Sequence, residues 1–191
     1  MTAVMEALLK RSSEPRLEAP APDPATLENA FACAARAPDH ALLRPWRYLI
    51  IEGDEALNAL GELFAATCGD GASEKEREKR CKKALRAPMV IVGVASYQSH
   101  PKVPEIEQSM SAAVGMGYLL LALESAGFGG MWRTGAMAHD PAIKRGLGLP
   151  PLVAAPLPPP PARGKSLAAF RPQFTIRISR YLPQPAHRNT S

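Results

Sequence analysis

The sequence predicts a single-domain α+β fold, and three observations carry that prediction. Helix-like and strand-like patterns alternate along the chain. Pro88–Ala95 is a continuous apolar run rich in valine and isoleucine, and Pro104–Ala126 has the length and apolar character of one long buried helix. With 191 residues the chain can bury a substantial core, and 46% hydrophobic against 21% charged residues is a globular composition. The 20 prolines gather mainly before Ala25 and after Leu149. A folded body over 1–150 is therefore expected, with a proline-rich C-terminal arm of the same domain over 151–191.

The elements follow in order. Ala3–Arg11 reads as a short amphipathic helix with Val4, Leu8 and Leu9 inward, stopped by Ser12, Ser13, Glu14 and Pro15. Ala25–Ala35 is a second helix with Leu27, Phe31 and Ala34 on one face, and Pro38-Asp39-His40 breaks it. Arg47–Ile51 is a strand ended by Gly53-Asp54. Helices over Glu55–Thr67 and Ser73–Leu85 flank the breaker run Gly69-Asp70-Gly71, and Pro88–Ala95 is a central strand buried on both faces. The long helix Pro104–Ala126 carries small residues at Ser109, Ala112, Ala113 and Gly117, so another helix can approach closely and a second subunit is a natural cover. Gly127–Gly130 ends it, Met131–Gly135 opens a strand, and Pro141–Leu147 is a short helix. Leu152–Pro161 is too rich in proline for a regular interior strand. In Gln173–Ser179 the residues Phe174, Ile176 and Ile178 alternate with polar ones, which suits a half-buried strand or an arm laid on a partner.

Charge and cysteine usage narrow the function. Seven basic and three acidic residues between Ser73 and Arg86 hold +4 of the net +5. Mixed signs at this spacing describe a solvated helix face, and no aromatic residues interleave for base stacking, so no nucleic-acid partner is expected. Cys33, Cys68 and Cys81 form no C-x-x-C pair, and the four histidines make no metal-ligand spacing, so reduced thiols in a cytoplasmic protein and no metal are expected. The first twenty residues lack a signal-peptide apolar stretch, and the uncharged run Ser109–Leu123 is short for a bilayer, so no membrane association is expected.

Three segments carry groups suited to a ligand. Arg11-Ser12-Ser13 with Arg16 offers a guanidinium, hydroxyls and freed backbone amides to a phosphate or polyol, although an arginine and serines also simply end helices. Ala37–Arg47 holds His40 and Arg44 on a loop stiffened by Pro38 and Pro45; His40 is equally readable as a loop-satisfied imidazole, and Trp46 as a core anchor. Gly127–Gly135 has glycines that admit a flat ring or phosphate to the backbone, with Arg133 and Thr134 as donors, or is a plain helix-to-strand turn. It lacks the G-x-G-x-x-G order after a strand. No nucleophile–base pair of the Ser-His-Asp or Cys-His kind is evident, so no catalytic side chain is assigned.

In this order, R-S-S-x-x-R-L, A-P-D-H-x-x-x-x-P-W-R and G-F-G-G-x-W-R-x-G resemble the small nitroreductases of the YdjA-like branch, from about Met5 to Gly148. Lys102–Gln108, opening the long helix, fits the same branch. The resemblance implies an FMN-dependent α+β fold with a mostly antiparallel central sheet flanked by helices, and cofactor at the interface of an intertwined homodimer. It implies that Arg11, Ser12 and Ser13 hold the phosphate and ribityl end of FMN. It further implies that His40 and Arg44 contact the flavin and that Trp132, Arg133 and Thr134 line it. Glu124, Ser125, Ala126, Gly127, Phe128 and Gly129 fall where the branch meets the nicotinamide nucleotide. The implied activity passes electrons from NADH or NADPH to a nitroaromatic, quinone or enone, with Arg11 or Arg44 as a cation favouring the reduced, anionic ring. Ser12 stands where a second arginine is usual, Arg44 where a glutamine-like residue is usual, and Leu152–Pro161 where an apolar strand is usual. Those departures keep a non-catalytic flavin-binding or scaffold protein of the same fold as the alternative.

Overall fold

Strand β2 (Met89–Tyr97) has all nine residues buried, as a run with no polar face must be. In the computed structural model, which describes residues 2–149 and the backbone of residues 169–180, β2 lies inside a four-stranded sheet. Its neighbours are β1 (Trp46–Glu52) and β4 (Ala169–Arg180), and β4 pairs in turn with β3 (Phe128–Arg133). The order is β1-β2-β4-β3 with every pair antiparallel, as the resemblance implied.

Alternation along β2 builds two cores. Met89 and Ile91 face α2 (Pro24–Ala34) and α5 (Glu105–Ser125), where Leu27, Ala34, Met116, Leu119 and Leu123 are buried. Val90, Val92 and Val94 face the other way, against Leu57, Leu60 and Phe64 of α3 (Asp54–Ala65) and Ile143 of α6 (Pro141–Gly146). Full burial of each large apolar side chain stabilises by about 1.5–3 kcal/mol. Gly93 lets α5 close onto the sheet, since a Cβ there would run into the Met116 side chain. The Tyr48 hydroxyl lies buried, without a hydrogen-bond partner among the described residues, where Gly115 brings α5 close to β1, and desolvation pushes its pKa up to about 12.

Helix α5 is covered on one side, and Ile106, Met110, Val114 and Tyr118, four residues apart along the opposite stripe, are 60%, 59%, 38% and 40% exposed in the single chain. Other expectations are corrected. Of the small residues, Ala112 packs inside the chain beside Ala95 and Tyr97, and the Ser109 hydroxyl bonds Glu105 O and Tyr97 Oη, whereas Gly117 faces open space. By length and composition α5 could cross a membrane, yet its other side is built into this core. Val4, Leu8 and Leu9 of α1 (Ala3–Lys10) are exposed rather than inward, because no element among the described residues covers them. The third strand starts at Phe128 rather than Met131 and stops before Gly135: Gly129 and Gly130 are buried strand residues, and the turn is made at Gly127, with φ +89°.

Strand β4 is interior, with a paired strand on each side. Its Pro172 sits at a register shift, where Gly93 pairs with Phe174 and Val94 with Pro172. A bulge is where an interior strand tolerates a residue with no N–H. The expectation for Leu152–Pro161 lies outside the described residues. The basic segment forms α4 (Glu74–Cys81), opened by a Ser73–Glu76 capping box and packed on α3. Hydrogen bonds from Ser73 hold the exposed Glu76 carboxyl below its usual range.

Candidate functional site

The candidate residues fall into two groups, each tied to a different end of α5. The first begins where α1 stops. Arg11 is the C-cap of α1, and the Ser12 N–H beyond it donates to Glu124 Oε1 at 2.8 Å. Two residues on, Glu14 N–H donates to Gly130 O at 3.0 Å, and a Cβ on Gly129 would touch Glu14 and Leu17 at 3.3 Å. Residues 11–17 are thereby laid along the end of α5 and the start of β3, bringing Arg11, Ser12 and Ser13 beside Glu124–Gly129. Between α1 and α5 opens a cleft of about 730 Å³, lined by Lys10, Arg11, Ser12, Leu121, Glu124 and Ser125 among others. Glu124, one of the lining residues, has its Oε2 buried without a hydrogen-bond partner among the described residues.

At the far end of β3, strand alternation separates two candidates. Trp132 packs on the α2–α5 core, whereas Arg133, with Thr134, borders the Phe64, Val92 and Met137 side. Their side chains therefore serve opposite faces of the sheet.

The second group is the loop before β1. His40 Nδ1 lies 3.1 Å from Glu107 Oε2, near the start of α5. The Asp39 carboxylate accepts from Arg44 N–H at 2.6 Å, and Gln98 Nε2 donates to Leu43 O at 2.6 Å. Behind it, Gln108, 1% exposed, accepts from Gln98 N–H and donates to Gln98 O and Val103 O at 2.9, 2.8 and 3.1 Å. The loop that carries His40 and Arg44 at the surface is held by Gln98, which is anchored in turn on the buried Gln108. Trp46 packs beside Ala95, Tyr97 and Ala112, as a core anchor would.

This loop is strained. Ala41, Leu42 and Arg44 have φ of 62°, 52° and 47°, left-handed values that disfavour any residue with a Cβ. Strain of this kind collects where a ligand must be met in a fixed geometry. Ala41→Gly should stabilise the protein by about 1 kcal/mol in a denaturant titration, because glycine adopts that conformation freely. An unchanged or lower midpoint would remove the strain.

The residues that fasten the groups, Gln98, Gln108, Glu107 and the Glu124 carboxylate, were not singled out for those roles by the sequence. A polar residue on the sheet-facing side of an apolar helix, as Gln108 is, was the available signal. From Glu107 to Glu124 the helix runs about 26 Å at the α-helical rise, too far for one small ligand to touch both groups within a chain. The basic helix α4 stands against α3, on the other face of the sheet. Among the described residues no cluster of three or more His, Cys, Asp or Glu side chains could hold a metal ion.

Comparison with known proteins agrees with the reading of the motifs. The Nitroreductase family model matches residues 8–157. "Putative NAD(P)H nitroreductase YdjA" of Escherichia coli is 35% identical over 144 residues, covering 75% of this chain and 79% of that protein. "Putative NAD(P)H nitroreductase" of Haemophilus influenzae is 38% identical over 143 residues, covering 74% and 77%. Among solved structures, a nitroreductase-like family protein from Bacillus cereus superposes with a TM-score of 0.72 at 19% identity, covering 100% of this chain and 92% of that one. An FMN-dependent nitroreductase from Clostridium difficile superposes at 0.61 with 18% identity, covering 95% and 89%. The structural likenesses establish the shared fold, the sequence matches establish descent, and the chain is an oxidoreductase of the nitroreductase family.

Proposed function

We propose that the chain binds FMN and uses it to move electrons from NADH or NADPH to a small acceptor such as a nitroaromatic, quinone or enone. The working unit is a cytoplasmic homodimer with the cofactor between subunits. The observation that carries this reading is the chemistry of the cleft at the end of α1. It brings together Arg11, Ser12 and Glu124, whose Oε2 has no hydrogen-bond partner among the described residues. Donors and a cation beside an acceptor match a phosphorylated polyol, and the ribityl phosphate of FMN is one.

When bound, FMN supplies the redox chemistry, accepting hydride from the nicotinamide and passing electrons to the acceptor. The chain's own residues bind and orient. Arg11, Ser12 and Ser13 take the phosphate and ribityl end, and Trp132, Arg133 and Thr134 line the ring, Trp132 and Arg133 from different faces of β3. Glu124–Gly129 borders the nicotinamide nucleotide. His40 and Arg44 reach the flavin from the second copy, and the exposed stripe of α5 supplies the surface on which the copies meet.

Purified protein should be yellow, release FMN on denaturation, and oxidise NADH or NADPH steadily once a nitroaromatic is added. A colourless protein that fails to quench added FMN fluorescence would exclude the reading. A yellow protein that gives no turnover would leave flavin binding without catalysis.

A further inference from the structure

We propose that Glu124 is the positioning residue for the phosphate-holding segment, fixing Arg11–Ser13 through the Ser12 amide. This rests on the assignment of that segment to the phosphate and ribityl end of FMN. Arg11, Ser12 and Ser13 lie past the end of α1 with exposed side chains. Left loose, they would have to be ordered by the ligand, and that lost entropy would weaken binding. Two hydrogen bonds do the ordering beforehand: Glu14 N–H to Gly130 O, between backbones, and Ser12 N–H to Glu124 Oε1, the one made by a side chain.

Glu124 is an unfavourable residue for its place. It lies in the last turn of α5, where the helix dipole disfavours an anion and the turn itself holds no basic residue. Its Oε2 is buried without a partner among the described residues, although a carboxylate accepts several hydrogen bonds. Neither feature serves the packing of α5. Both follow if the carboxylate holds the Ser12 N–H with one oxygen and keeps the other for a donor arriving in the cleft. A ribityl hydroxyl is a donor of that kind.

The test uses Glu124→Ala and Glu124→Gln. Equilibrium titration of FMN fluorescence measures affinity, and hydrogen exchange on the FMN-free protein reads the Ser12 amide. Glu124→Ala should bind FMN about tenfold more weakly, the loss expected for one charge-assisted hydrogen bond. It should also exchange faster at Ser12 while keeping the melting temperature of the FMN-free wild type. Glu124→Gln presents a carbonyl oxygen to the same N–H, while its NH2 can donate to a ribityl hydroxyl oxygen in place of the acceptor Oε2, and it should restore both readouts. Unchanged or tighter binding by Glu124→Ala would overturn the proposal, tighter binding meaning that the carboxylate merely competes with the phosphate. A Gln variant as weak as the Ala variant, or a matching drop in the FMN-free melting temperature, would overturn it too. Failure of the wild type to bind FMN would instead sink the functional reading, and exchange at Ser12 would still report the bond.

Discussion

A chain ended after Ala168 should fail to fold, whereas one ended after Arg180 should fold. Strand β4 separates β2 from β3, so removing it exposes one edge of β2 and leaves β3 with no strand to pair with. β2 loses its ladder from Met89 to Tyr97, and β3 loses its ladder from Phe128 to Arg133. Each buried backbone group left unsatisfied costs about 1–3 kcal/mol, and a few already exceed the roughly 5–15 kcal/mol that holds a domain folded. Expression as insoluble protein, with no cooperative melt by circular dichroism, is the expected result for the shorter chain. A cooperative transition in it would show that β4 is dispensable and that β2 and β3 find other partners.

The position of β4 marks a limit on what the sequence discloses. The alternation of Phe174, Ile176 and Ile178 announces a strand, because side chains on successive strand residues point to opposite faces. It does not say which strands lie beside it, since pairing is decided by residues far away in sequence: Thr175 meets Val92 on one side and Arg133 on the other. The same limit applies to α1 and α5. Their apolar residues were legible, but an apolar stripe does not disclose whether its own chain or another covers it. In the site, the segments holding Arg11, His40 and Arg133 were legible as motifs, whereas the Ser12–Glu124 bond joins residues 112 apart and leaves no local trace. The opposite facing of Trp132 and Arg133 was already implicit in the strand read from Met131, because successive strand residues alternate.

Chains carrying Arg11→Ala and His40→Ala, each poor at holding FMN alone, should together restore it. Within one chain Arg11 stands by the Glu124 end of α5 and His40 by the Glu107 end, about 26 Å apart along the helix. Two copies related by a two-fold axis, meeting on the stripe of Ile106, Met110, Val114 and Tyr118, would place the Glu124 end of one helix against the Glu107 end of the other. Each site would then take Arg11 from one copy and His40 from its mate. Homodimers of either variant lack one group at both sites and should bind FMN at least about tenfold more weakly, as expected for a lost charge-assisted contact. A heterodimer purified through two different tags has one site with both native groups and one with neither. It should therefore hold about one flavin per dimer at wild-type affinity. The measurement is the flavin-to-protein ratio after gel filtration at limiting FMN, with both homodimers run beside it. A heterodimer no better than its parents would mean that Arg11 and His40 do not share a flavin across the interface. A wild-type protein that sediments as a monomer while retaining FMN would exclude the shared site altogether.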